Sequence, residues 1–324
     1  MRAMRMIAAG RPMELRDIPL PHAAPGWVVL RVEAAGLCHS DLHILDGSLT
    51  HTMSTEEGEL LTTTAPITLG HEIAGTIFEL GDGVPSRFAV GDRVISGGPM
   101  IPRAAPGLTI DGGFAEYVTV PHEKLQFIPD GVGFDEAAVS TDSIATSYSA
   151  VRTTAGVSAG ETVAIIGLGG LGLNGVRTAA LLDSTVYGVD INPLTFEAAR
   201  AAGATDCFTE VEALRDVRPD VLVDFAGTGS TTEQALSVVR TGGRVVVVGM
   251  AATAVTVDTH RLILGRQTLR GSFGRTATDM TEVLDLLAHG QLRPETTVVD
   301  LADLNEAYAQ LERGKVVGRL VTHP

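Results

Sequence analysis

Two textures of apolar and polar positions divide this chain. Up to about residue 129, apolar residues come in short runs, such as Val28-Val29-Leu30-Arg31-Val32, Gly75-Thr76-Ile77-Phe78-Glu79-Leu80 and Phe114-Ala115-Glu116-Tyr117-Val118, broken by Gly, Pro and Asp. Short β-rich runs between turn-forming residues predict the strands of a small β-barrel. From about residue 160 the pattern changes. Val163-Ala164-Ile165-Ile166 is continuously apolar, as a parallel strand buried on both faces requires. An Ala- and Leu-rich helix is predicted over 171–182 and a second strand over 186–189. Further strands are expected at 221–225, 244–248 and 269–273, with helical stretches between them. Such alternation predicts a doubly wound parallel sheet. Helices over 280–288 and 304–313 follow. The fold class expected is therefore α/β plus β: residues 1–137 begin one domain, 138–275 form an inserted one, and 276–324 return to the first.

Composition narrows the function classes. With 324 residues the chain has room for two domains, and 44% hydrophobic against 19% charged residues argues for packed cores rather than disorder. A net charge of −15 weighs against nucleic-acid or anionic-membrane partners. The only cysteines are Cys38 and Cys207, too few for a disulfide framework, which fits a reducing compartment and a cytoplasmic protein. The apolar run over 6–9 is too short for a signal segment. The longest apolar stretch, 245–257, is interrupted by Gly249, Thr253 and Thr256 and falls short of the ~20 residues of a membrane helix.

Candidate chemistry is concentrated in two runs, Cys38-His39-Ser40-Asp41-Leu42-His43 and Gly70-His71-Glu72. A lone Cys is more often a small buried hydrophobe than a ligand. Here thiol, imidazole, hydroxyl and carboxylate occur together, the inventory of a catalytic zinc site, which keeps three protein ligands and one open position. Cys38 and His71 supply two donors, and the third must come from elsewhere. Gly167-Leu168-Gly169-Gly170-Leu171-Gly172 lies between the first buried strand and its helix. Its glycines allow a tight turn, close approach of a pyrophosphate, and close helix–strand packing. The helix N-terminus above them favours the phosphates. Asp190 ends the next strand, where a carboxylate can bond the adenine ribose hydroxyls and would repel a 2′-phosphate, so NAD is expected over NADP.

Over essentially its whole length the sequence resembles the zinc-dependent alcohol dehydrogenases of the medium-chain dehydrogenase/reductase family. The matching pieces are Gly36-Leu37-Cys38-His39-Ser40-Asp41-Leu42-His43, Gly70-His71-Glu72-Ile73-Ala74-Gly75, Val90-Gly91-Asp92-Arg93-Val94, Gly112-Gly113-Phe114-Ala115-Glu116-Tyr117, the glycine loop with Val189-Asp190-Ile191-Asn192, and Gly318-Arg319-Leu320-Val321. The resemblance implies a GroES-like catalytic domain, an inserted Rossmann domain, and an active site in the cleft between them. It implies hydride transfer between an alcohol or carbonyl substrate and NAD(H), with the alkoxide stabilised on zinc. Cys38 and His71 match two zinc ligands, and the third position, usually cysteine, falls on Asp142. An aspartate there would leave a harder metal site with one thiolate, although a helix N-cap is the alternative role for Asp142.

By the same resemblance Glu72 is the carboxylate beside the open position and Asp41 the acid that orients the ligand histidine; either could instead be a structural acid. Ser40 and His43 match a proton relay, in which an imidazole near its ordinary pKa suits the solvent end. Thr146 matches a residue facing the nicotinamide. His39 and Arg319 match pyrophosphate contacts, and Ile191 and Val248 join the glycine loop among the cofactor-binding positions.

Two departures stand out. The segment 96–110 has no Cys or His, so the structural zinc of many relatives is not expected. The segment 47–66, rich in Thr and carrying Glu56, Glu57 and Glu59, is longer than most relatives have; it either shapes the substrate entrance or is a solvated insertion. Pairing of the strand 269–273 across a homodimer is expected as in relatives, with a homotetramer or a monomer as the alternatives. Other readings are reduction of a C=C or C=N bond in a biosynthetic intermediate, and a cofactor-binding protein without catalysis.

Overall fold

A computed structural model describes residues 1–49 and 51–324. Among these residues the chain forms two compact units, Met1–Asp142 with Met280–Pro324, and Ser143–Asp279. The divisions fall at 142/143 and 279/280 rather than at the expected 137/138 and 275/276. The helix Phe134–Val139 packs on the strands Trp27–Gly36, Glu72–Leu80 and Arg319–His323, which keeps it with the first unit. Asp279 stays with the second because its carboxylate accepts bonds from Thr153 Oγ1 and the Thr276 N–H.

In the first unit a seven-stranded sheet runs in the order Leu125–Phe127, Arg93–Ser96, Glu72–Leu80, Trp27–Gly36, Arg319–His323, Thr296–Asp300, with Tyr117–Pro121 also paired to Trp27–Gly36. Val28, Val29 and Leu30 are fully buried, as expected of a strand at the centre of a curved sheet. The expected strand at 114–118 lies later, at Tyr117–Pro121. Residues 112–114 instead lace the preceding loop: Gly112, Gly113 and Phe114 donate their N–H groups to Thr68, Gly70 and Leu69 carbonyls. Gly70, at φ +87°, has no room for a side chain, because a Cβ there would lie 2.6 Å from the buried Phe114 ring. This fixes the loop that carries His71. Within 47–66 the chain forms a small hairpin, Met53–Ser54 with Leu60–Leu61, and buries Thr52 and Met53. Residue 50 of that segment lies outside the described residues.

The second unit is a six-stranded parallel sheet in the order Asp206–Phe208, Thr185–Val189, Thr162–Ile166, Val221–Asp224, Arg244–Val247, Thr268–Gly271. Alternate residues of the central strand serve two cores: Val163 and Ile165 pack on one face, Ala164 and Ile166 on the other. That two-sided burial is the reason the sequence run is continuously apolar. Strand order reverses between Thr162–Ile166 and Val221–Asp224, the switch point at which open α/β sheets bind ligands.

Candidate metal centre and dinucleotide loop

Antiparallel pairing brings the two chemical runs together. Gly36 at the end of one central strand pairs with Glu72 at the start of its neighbour, so Cys38 and His71 emerge at the same end of the sheet despite their separation in sequence. Gly36 is required there, because a Cβ would lie 1.8 Å from Glu72 Oε2. Asp142 arrives from a π-helical turn, Ser140–Ile144, that continues the helix Phe134–Val139. The hydroxyls of Ser140 and Thr141 bond back to the carbonyls of Ala137 and Ala138, satisfying backbone acceptors that the wider turn leaves over. Asp142 is therefore inside a helical run and not an N-cap. Its Oδ2 lies 3.5 Å from Cys38 Sγ and 3.6 Å from His71 Nε2. One donor atom from each of the three residues falls within 4.8 Å of the others. Sulfur, imidazole nitrogen and carboxylate oxygen are all zinc donors, and their spacing fits a single cation.

The other face of His71 is held by Asp41. This fully buried carboxylate takes the His71 Nδ1–H at 3.3 Å on Oδ1; on Oδ2 it accepts the Cys38 N–H at 3.0 Å and the Tyr308 hydroxyl at 2.8 Å. Asp41 is the third residue of the helix His39–Leu45, so it reaches back to the residue preceding the helix as a capping-box acid does. Burial opposes protonation of His71, yet Asp41 and Asp142 outweigh it and raise the imidazole well above its ordinary value. A pocket with that field attracts a cation. Glu72 is buried against Arg319, whose Nε lies 3.1 Å from Oε2, while Arg319 Nη2 also lies 3.7 Å from Asp142 Oδ2. Burial, followed by repulsion from Asp142, raises the Glu72 carboxyl even though Arg319 opposes the shift. Arg319, expected on a pyrophosphate, is thus placed beside the metal-ligand cluster by the pairing of its strand with Trp27–Gly36.

Ser40 Oγ lies 3.6 Å from Cys38 Sγ. His43 follows three residues later on the same helical face, with Nδ1 3.2 Å from Ser48 Oγ. His39 keeps an open side to solvent, yet packing around its ring, then the charges of Arg319 and His43, hold its imidazole down at about 4. It is neutral near pH 7 and offers a hydrogen bond rather than a charge. Tyr308 was not among the sequence candidates. A Tyr buried between apolar helix positions signals that its hydroxyl needs a partner, but the sequence does not reveal that the partner is Asp41.

In the second unit, Gly167 at φ +83° turns the chain from the strand Thr162–Ile166 into the helix Gly170–Leu181, with Leu171 and Gly172 in its first turn. A Cβ on Gly172 would lie 1.7 Å from Gly167 O, whereas one on Gly169 would meet nothing within 4 Å. Gly172 is thus a packing glycine, and Gly169 borders open space at the helix N-terminus, as a phosphate cradle requires. Asp190 accepts the N–H groups of Leu168 and Asn192 at 2.7 and 2.8 Å, tying the glycine loop to the following turn. Ile191 is 91% exposed beside it. Val248 donates its N–H to Asp224 O, and Thr146 is nearly buried in the helix Ala145–Tyr148.

Known proteins match this chain along its whole length. A family profile described as an alcohol dehydrogenase GroES-like domain matches residues 24–130, and one described as a zinc-binding dehydrogenase matches residues 170–289. The NAD-dependent alcohol dehydrogenase of Sulfurisphaera tokodaii is 33% identical over the whole of both chains, and that of Saccharolobus solfataricus 32%. Among solved structures, acetophenone reductase from Geotrichum candidum in complex with NAD aligns with a TM-score of 0.89 and 31% identity, covering 100% of this chain and 97% of that one. The alcohol dehydrogenase of the archaeon Aeropyrum pernix aligns with a TM-score of 0.89 and 29% identity over all of both chains.

Proposed function

Because the chain belongs to the zinc-dependent alcohol dehydrogenases of the medium-chain dehydrogenase/reductase family, we propose that Cys38, His71 and Asp142 hold one zinc ion per chain and that the glycine loop with Asp190 takes NAD(H) in preference to NADP(H). The protein is an oxidoreductase that moves a hydride between an alcohol and its carbonyl compound. The convergence of three zinc donors within 4.8 Å carries the reading of the site.

When bound, zinc acidifies a substrate hydroxyl and the nicotinamide accepts the hydride. Asp41 holds His71 in the tautomer that leaves Nε2 free for the metal. Ser40 takes the substrate proton on Oγ, and His43 delivers it to solvent from the same helix face. Glu72 and Arg319 neutralise each other beneath the ligands, with Arg319 also offsetting the charge of Asp142. His39 contributes to pyrophosphate binding and Ile191, Val248 and Thr146 to cofactor contact, whereas Arg319, buried against Glu72, serves the metal-ligand cluster. Both Asp190 oxygens already accept backbone N–H groups, which leaves lone pairs for ribose hydroxyls and none of the positive charge that a 2′-phosphate needs.

A single zinc is inferred because residues 96–110 contain no cysteine or histidine and Cys207 is buried within the strand Asp206–Phe208 of the parallel sheet. No described helix is long and apolar enough to cross a membrane; two free buried thiols favour a reducing compartment such as the cytoplasm. The outer edge strand Thr268–Gly271, with exposed Ile263, Leu264 and Phe273 beside it, is the surface inferred to pair with a second copy.

Metal analysis combined with NADH formation from a panel of alcohols tests the reading. The expected result is one zinc per chain, with Cys38→Ala losing metal and alcohol oxidation together. Turnover retained by zinc-free Cys38→Ala protein would overturn it.

A further inference from the structure

We propose that Tyr308 is a positioning residue of the metal centre, fixing through its hydroxyl the carboxylate that orients His71. The inference rests on the reading of Cys38, His71 and Asp142 as zinc ligands. Tyr308 lies 267 residues from Asp41 in sequence, on the helix Leu304–Glu312 of the returning segment. Leu304, Ala307 and Leu311 bury one face of that helix, and the Tyr308 ring stands edge-on to Phe114 with centroids 6.2 Å apart. The phenol therefore approaches Asp41 from a fixed direction.

The two oxygens of Asp41 divide their work. Oδ1 faces His71 Nδ1, while Oδ2 receives the Cys38 N–H and the Tyr308 O–H. Two donors on Oδ2 prevent the carboxylate from turning and share its charge. Oδ1 is then the oxygen that sets the plane of the imidazole and aims Nε2 at the cluster. With phenylalanine at 308 the ring packing remains, but a fully buried carboxylate loses one of three donors and gains freedom to rotate. Burial and the charge of Asp41 both push the Tyr308 phenol well above its ordinary value, so it stays a donor throughout the working pH range. Any buried phenol needs a hydrogen-bond partner. What separates a positioning role from simple satisfaction of that need is an effect on the metal itself.

Zinc release from loaded protein into excess chromogenic chelator reads that effect without an activity assay. Y308F is expected to release zinc several-fold faster than wild type, below the roughly tenfold or more expected for losing Asp41, the direct partner of the ligating histidine. A variant with 4-aminophenylalanine at 308 keeps the ring and a weaker donor, and is expected to fall between the two. If Y308F does not fold, that variant decides by itself: faster release than wild type supports the role, and the wild-type rate overturns it. Equal release from zinc-loaded wild type and Y308F overturns the role of Tyr308 alone. Wild-type protein that binds no zinc overturns both this role and the metal reading beneath it.

Discussion

A single methyl group separates the tasks of the glycines in the dinucleotide loop. Gly172→Ala places a Cβ 1.7 Å from Gly167 O, so the helix and the turn cannot keep their spacing. A loss of roughly 3 kcal/mol in denaturant unfolding is expected, the upper end of ordinary overpacking. Gly169→Ala meets open space at φ −78°, so stability should change by no more than about 0.5 kcal/mol. NADH titration should instead show affinity weakened by about tenfold or more, since the methyl occupies the approach of the pyrophosphate. Equal effects of the two substitutions on binding and stability would contradict this division. Much of the metal cluster was legible at this scale: thiol, imidazole and carboxylates stand within a few positions of one another in two runs, and the family resemblance drew Asp142 to them. The environment of Arg319 was not legible, since its contact with Glu72 depends on which strand its own strand joins.

Single elements carry a testable pH dependence. Arg244, at the start of its strand, donates from Nη1 to Glu161 Oε1 at 2.8 Å and from Nη2 to the Gly156 carbonyl at 3.0 Å, joining the strand's entry to the turn before Thr162–Ile166. The hydrogen bond from Arg244 is the largest cause holding the Glu161 carboxyl below its ordinary value. A carboxyl lowered on folding stabilises above its unfolded pKa and loses that contribution as pH falls through its folded value. Glu161→Gln should therefore cost about 1 kcal/mol at pH 7, discounted for partial exposure, and nothing once both states are protonated in acid. Urea unfolding of both proteins at neutral and acidic pH checks this; a gap unchanged in acid would sink it.

The parallel strands were legible because burial on both faces leaves no polar register in the sequence. The strand expected at 114–118 slid to Tyr117–Pro121 because Gly112, Gly113 and Phe114 spend their N–H groups on the neighbouring loop, a tertiary choice invisible to local pattern. The π-helical turn holding Asp142 was equally hidden. Nothing in Ser140-Thr141-Asp142-Ser143-Ile144 marks a wider turn until its freed carbonyls and hydroxyls are seen to pair.

For the molecule as a whole, the proposed pairing of two copies is tested at the surface. Leu264 is 81% exposed and Ile263 69%, at the end of the helix Thr259–Leu264 that leads into Thr268–Gly271, the last strand of the parallel sheet among the described residues. If the proposed pairing of two copies holds, Leu264→Asp should shift the mass measured by light scattering toward the monomer while leaving zinc content unchanged; an unaltered mass, or a monomeric wild type, would overturn the proposed surface. Domain order was legible from the change of texture along the chain, whereas the boundaries depended on packing of the helix Phe134–Val139 and on the bonds of Asp279. The single sulfur among the three proposed metal ligands has a further consequence for the lifetime of the enzyme. Cys38 faces Asp142 where a second sulfur would otherwise stand. Peroxide that reaches the metal-free protein can form a sulfenic acid at Cys38, but no neighbouring thiol in the cluster is there to capture it as a reducible bond. Further oxidation leads to sulfinic acid, which ordinary reductants do not reverse. On the proposed zinc reading, a sulfur engaged with metal is shielded from that one-way damage, so zinc-loaded protein should outlast metal-free protein in peroxide, as timed inactivation of the two forms checks.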